Sequence, residues 1–144
     1  MPPALYLFFK AISDFKKSRN DADIDKDCPE AILLSDHFLT TTGIEFGRES
    51  TPRSHALYKV LDLNKKHTRK SFEFRDSKTK NTLIELRAHA HYTMCGGTYD
   101  CGEKVVHTKL DDLTEISYDQ LYKDVALLSL ACVMLRKSKL PEII

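Results

Sequence analysis

Apolar residues along the chain switch between a helical and an extended period. Leu5, Phe8, Phe9, Ile12 and Phe15 recur at helical spacing behind Pro2-Pro3, with Lys10, Asp14, Lys16 and Lys17 opposite, which predicts an amphipathic helix. Pro29, preceded by Asp27-Cys28 and followed by Ala31, Ile32, Leu33, Leu34, Phe38 and Leu39, predicts a second helix that Gly43 can close; His37 lies on it as a surface residue. Between the two, Asn20 to Asp27 is so rich in charge that its composition predicts a solvated loop. Its alternating aspartates do not make an EF-hand, because the glycine at the sixth position and the glutamate at the twelfth are missing.

The extended period follows. Ile44-Glu45-Phe46-Gly47 predicts a short strand, and Leu57, Leu61 and Leu63 alternate within Ala56 to Leu63, which favours strand over the helix that Pro52 could open. Phe72 and Phe74 alternate with Ser71, Glu73 and Arg75, and the turn-rich Asp76 to Asn81 then leads to a long alternating segment, so a hairpin is expected. In its second strand Ile84, Leu86, Ala88, Ala90 and Tyr92 share one face, while Glu85, Arg87, His89 and His91 share the other. Glu103 to Leu110 predicts the next strand. Ser117 and Gln120 have capping-box spacing before Tyr118, Leu121, Tyr122, Val125, Leu128, Cys132 and Leu135, and apolar residues fill much of the other side, which predicts a long buried helix. The sum is an α+β domain over residues 1–144: two N-terminal helices, an antiparallel sheet of about four strands from Ala56 to Leu110, and a long buried C-terminal helix.

Composition narrows the function classes. The 144 residues suffice for one core without staples, and 42% hydrophobic with 30% charged residues is ordinary for a globular domain. A net charge of +1 argues against coating DNA or an anionic membrane. The charge is segregated, at −3 from Asp14 to Asp36 and +5 from Lys59 to Lys80, and the basic segment 59–80 suits either soluble hairpin ends or RNA, a nucleotide or an acidic partner. No run approaches the roughly 20 apolar residues of a membrane span. The apolar start lacks a basic n-region and is broken by Lys10, so a secretory signal is not expected; Cys28, Cys95, Cys101 and Cys132 are expected reduced, in the cytoplasm or, for a viral protein, the host cytosol.

Candidate chemistry centres on three histidines. If the strand ending near Tyr92 pairs with the one beginning near Glu103, His91 faces His107 and His89 faces Lys109, close enough for imidazoles to share a zinc ion, with Cys95 and Cys101 as further ligands. The Cys95 to Cys101 gap is longer than a usual zinc-binding pair, and solvent-facing polar positions explain the same pattern. Without metal, His89, His91, His107 and Lys109 could act as acid, base and phosphate holder on RNA, with Glu85, Arg87, Lys65, Lys66, Arg69 and Lys70 as binding residues. A Cys95 nucleophile beside Gly96-Gly97 is weaker, since no helix start follows to lower its pKa.

Two functions are therefore expected. The first is binding of a macromolecular partner, as an inhibitor, immunity or adaptor protein, including a homodimer through the C-terminal helix. The alternative is a histidine-based hydrolase or ribonuclease, with zinc or with no cofactor.

Overall fold

In the computed structural model, which describes residues 21–61, 71–88, 93 and 95–138, the acidic segment expected as a loop is a strand. Asp21–Lys26 forms β1, and all six of its residues are buried. It runs antiparallel between β3 (Thr51–Val60) and β5 (Thr82–Arg87), with Ile24 opposite both Ala56 and Leu86. Charge density predicts solvation only where water is the available partner, and here neighbouring strands carry cations and donors to meet the aspartates. Alternation sends Ala22 and Ile24 to one face and Asp21, Asp23 and Asp25 to the other.

Among the described residues the sheet has seven strands rather than about four. With β2 (Ile44–Arg48), β4 (Phe72–Arg75) and β6 (Val105–Leu110), the order is β4-β5-β1-β3-β2-β6, all antiparallel. A short β7 (Thr114–Ile116) runs parallel to β3 beside Tyr58 to Val60, where β2 has not yet begun. Pro52 is tolerated in β3 because β1 pairs with that strand only from His55 onward. The β4–β5 hairpin forms where the alternation places it, and its turn uses Lys80 at φ 65°.

Among the described residues there are two helices, α1 (Pro29–Phe38) and α2 (Tyr118–Ser138); the helix expected over Leu5 to Phe15 lies outside them. The first ends before Gly43, with the Leu39 N–H donating to Ser35 O at 2.8 Å. Gly43 serves a close approach instead, because a Cβ there would stand 2.1 Å from the Asp112 carbonyl oxygen. The second opens as its capping sequence predicts, the Gln120 N–H donating to Ser117 Oγ at 3.2 Å.

Both helices cover the face of Ala22 and Ile24, where Ala56, Tyr58, Ile84 and Leu86 meet Leu121, Val125, Leu128 and Cys132 in the main core. Buried Asp124 of α2 accepts from the Thr40 hydroxyl at 2.8 Å. Arg136 reaches Glu30 of α1 at 3.1 Å and Asp76 of the hairpin turn at 2.9 Å. This helix is not buried all round: Leu127, Leu130 and Met134 form an outer stripe at 47, 57 and 62% exposure, because sheet and α1 occupy only its inner side. On the opposite sheet face Ile44, Phe46, Leu57 and Cys95 form a smaller apolar cluster beside the aspartates. No helix among the described residues is long and apolar enough to cross a membrane.

Ile24 is wholly buried at the centre of the sheet, so Ile24→Ala should cost about 2–5 kcal/mol by urea unfolding. A loss below about 1 kcal/mol would show that β1 lies outside the cooperative core.

Candidate functional site

Where β1 leaves the sheet for α1, the chain encloses a cleft of about 1040 Å³. Asp25, His55 and Arg87 come from three adjacent strands, Asp27 from the strand-to-helix junction, and Pro29, Ile32 and Leu33 from α1. Arg48 lines it from the end of β2, Pro52 from the start of β3 and Tyr99 from the loop before β6. The cleft thus joins an ionisable floor to an apolar wall.

His55 is held from behind. Its Nδ1 lies 2.9 Å from Asp23 Oδ2, and the fully buried Asp23 also accepts from the Thr93 hydroxyl at 2.6 Å. The ring stacks on Phe46 with centroids 5.0 Å apart. A carboxylate at Nδ1 places the Nδ1 proton there and leaves Nε2 as the working nitrogen, which is 3.7 Å from Asp25 Oδ1. Burial pulls the imidazole pKa down, but the Asp23 charge and hydrogen bond, with Asp25 behind them, outweigh it, so the net shift is upward.

The carboxylates beside it are crowded. Burial raises the pKa of Asp25, and the charges of Asp23 and Glu85 add to the rise against His55 and Arg87. Asp27 opens toward solvent, yet the surrounding protein withdraws enough water, and Asp25 and Glu85 lie close enough, to push its carboxyl up to about 7. Arg87 Nη2 is 3.0 Å from Asp25 Oδ2, and its Nε is 3.1 Å from Glu85 Oε2, an ion-pair contact without hydrogen-bond alignment. Oxygens of Asp25, Asp27 and Glu85 lie within 4.8 Å of one another; an all-oxygen set of this kind suits magnesium or calcium better than zinc.

Two further arginines differ in how they are engaged. Arg53 is tied to Glu45 at 3.0 Å and Asp36 at 2.6 Å. Arg48 instead lays its guanidinium 4.3 Å from the Tyr99 ring centroid, and no carboxylate among the described residues lies within ion-pair distance of it.

Of the residues expected from the sequence, those described do not come together in one site. His89, His91, Lys65, Lys66, Arg69 and Lys70 lie outside the described residues. Among the described residues β6 pairs with β2, and three strands separate it from β5, on the order of 19 Å at sheet spacing, while the expected partners of His107 and Lys109 lie outside the described residues. His107 and Lys109 part company at a bulge, since His107 pairs with Phe46 and Lys109 with Glu45, residues of opposite faces. His107 packs on Phe46 at 5.3 Å between ring centroids, and burial lowers its pKa. Cys95 is buried among Ile44, Phe46 and Leu57, whereas Cys101 is exposed with its thiol 3.7 Å from Glu103 Oε2. Glu85 and Arg87 do share the polar face and stand in or beside the cleft.

Asp23, Asp25, Asp27 and His55 escape a reading from composition. Their signal is the strict two-residue alternation of Asp21-Ala22-Asp23-Ile24-Asp25, which is a strand pattern with an acidic face.

The shift at Asp27 has a sign in stability. Its carboxyl holds a proton up to about 7 in the folded chain but only to about 3.8 when unfolded, so unfolding releases a proton between these values. Stability contributed by this group therefore falls as pH rises across that window, and the raised Asp25 acts in the same direction from its lower edge. In urea unfolding at a series of pH values, wild type should lose stability with rising pH more steeply than Asp27→Asn; parallel curves would remove the shifted carboxyl.

No protein-family model, curated protein or solved structure matches the chain.

Proposed function

We propose that the chain is a small hydrolase of the ribonuclease type, cleaving phosphodiesters in the His55 cleft by general acid–base catalysis. The observation that supports this most is the presence in one cleft of two groups of opposite charge type, His55 and Asp27, both shifted upward and the latter to about 7. Deprotonated Asp27 would take the proton of the ribose hydroxyl that attacks phosphorus. The Nε2–H of His55 would protonate the departing oxygen, with Asp23 stabilising the imidazolium beforehand. Arg48, which no carboxylate among the described residues reaches at ion-pair distance, would hold the phosphate oxygens, and Pro29, Ile32 and Leu33 offer a surface for a base. The basic segment 59–80 would attract the polyanion, and reduced cysteines accord with a cytoplasmic setting.

A second reading, binding of a protein partner or a second copy, is favoured by one observation. Leu127, Leu130 and Met134 present an apolar stripe along α2 at helical spacing, away from the cleft. On that reading Leu130→Glu abolishes function and His55→Ala does not.

With a single-stranded RNA oligonucleotide as substrate, His55→Ala and Asp27→Asn should each lower kcat by about 100-fold or more, and the wild-type profile should be bell-shaped around neutrality. Arg48→Ala should act mainly on KM. Absence of cleavage by folded wild type, with and without magnesium, or full activity in His55→Ala, would overturn the assignment.

A further inference from the structure

Two strands and a loop meet at the ring of His55. In the sheet register it stands opposite Phe46 on β2 and Asp25 on β1, with Asp23 two residues along the same face of β1. Phe46 is wholly buried, lies nearly parallel to the imidazole at 11°, and also carries the ring of His107. Stacking fixes the plane of the His55 ring but not the rotation of the carboxylate that meets its Nδ1. Both Asp23 oxygens reach that nitrogen, Oδ1 at 3.1 Å and Oδ2 at 2.9 Å. Thr93 distinguishes them, because its hydroxyl donates to Oδ2 at 2.6 Å, the short length of a hydroxyl bonded to a charged oxygen.

Thr93 belongs to neither strand nor helix, yet it is tied to the same support as the ring. The Cys95 thiol donates to the Thr93 carbonyl at 3.5 Å, and the buried Cys95 packs in one cluster with Phe46 and Leu57. Asp23 is wholly buried, so water does not replace a donor lost from it. A hydrogen bond donated to a carboxylate draws off negative charge and loosens its hold on an imidazolium beside it. The other charges facing His55 are Asp25 of β1 and Asp27 just beyond it, which favour the imidazolium, and Arg87 of β5, which opposes it. Arg53 on its own strand is taken up by Glu45 and Asp36. Thr93 supplies an uncharged donor on the side away from these groups.

We infer that Thr93 is a positioning residue for the acid step: by holding Asp23 Oδ2 it aligns the carboxylate on His55 Nδ1 and keeps the imidazolium acidic enough to pass its Nε2 proton to the leaving oxygen. The inference rests on the acid role proposed for His55, so the histidine is to be read separately from cleavage.

In the whole chain, the His55 imidazole resonances, identified by their loss in His55→Gln, are followed by NMR across pH in wild type, Thr93→Val and Thr93→Ser. Valine keeps the shape and removes the donor, whereas serine keeps the donor. His55 should titrate higher in Thr93→Val, on the order of half a pH unit or more, and return to the wild-type value in Thr93→Ser. With a single-stranded RNA oligonucleotide, Thr93→Val should lower kcat about three- to tenfold at unchanged KM, and move the alkaline limb of the pH profile upward while the acid limb set by Asp27 stays in place. A folded Thr93→Val in which His55 does not titrate higher overturns the inference, whatever the rate of cleavage. A raised titration in a chain that cleaves no RNA upholds the link from Thr93 through Asp23 to His55 and overturns the ribonuclease reading instead. If Thr93→Val does not fold, wild type decides: the bond shields the Thr93 hydroxyl proton from exchange, so a resolved resonance correlated with the Thr93 methyl is expected, and its absence overturns the inference.

Discussion

The need to compensate carboxylates in the middle of a sheet organises this molecule. Asp23 and Asp25 sit on the central strand, and an uncompensated buried charge costs several kcal/mol. Asp23 is met in full by His55 and Thr93. Asp25 shares Arg87 with Glu85 and has His55 at longer range. The shortfall appears one residue on from the strand, where Asp27 holds its proton to about 7. The cleft is therefore the place where electrostatic satisfaction runs out, and the proposed proton transfer draws on that shortfall.

The other face of β1 carries a matching arrangement. Lys26, 1% exposed at its side chain, places Nζ 3.4 Å from Glu45 Oε2 and 3.4 Å from Ser35 Oγ on α1. Glu45 is further held by Arg53 and by the Thr108 hydroxyl, and these partners keep its pKa low despite burial. A strand charged on both faces is thereby locked to β2, β3 and α1 by specific partners, which fixes its register more narrowly than apolar packing alone would.

How much of this is legible in the sequence depends on whether local pattern or distant partners decide each element. The β4–β5 hairpin and α2 depend on alternation and helical spacing within themselves, and both form where those patterns place them. Strand β1 depends on His55, Arg87 and Thr93, residues far along the chain, and composition alone describes it as a loop. Strand β6 is foreseen as a strand but not with its partner, because nothing in its own residues says that it will cross to β2. The bulge that turns Lys109 away from His107 is equally silent in the sequence. The candidate site gathers residues from β1, β3 and β5 and from two loops, so no contiguous motif marks it; only Glu85 and Arg87 stand out on a face already identified as polar.

The position of β1 also sets an order of events for the growing chain. It leads the described residues, yet one of its two partner strands is β5, which follows three other strands and a hairpin turn. Its two neighbours can each close a local hairpin, β2 with β3 and β4 with β5, while β1 must wait and slot between them, a non-local step of the kind that slows folding. During that wait a strand of alternating aspartates repels copies of itself and stays hydrated, where an apolar central strand would invite pairing with other nascent chains. The charge that makes β1 costly in the finished sheet keeps it out of aggregates until its partners have been synthesised.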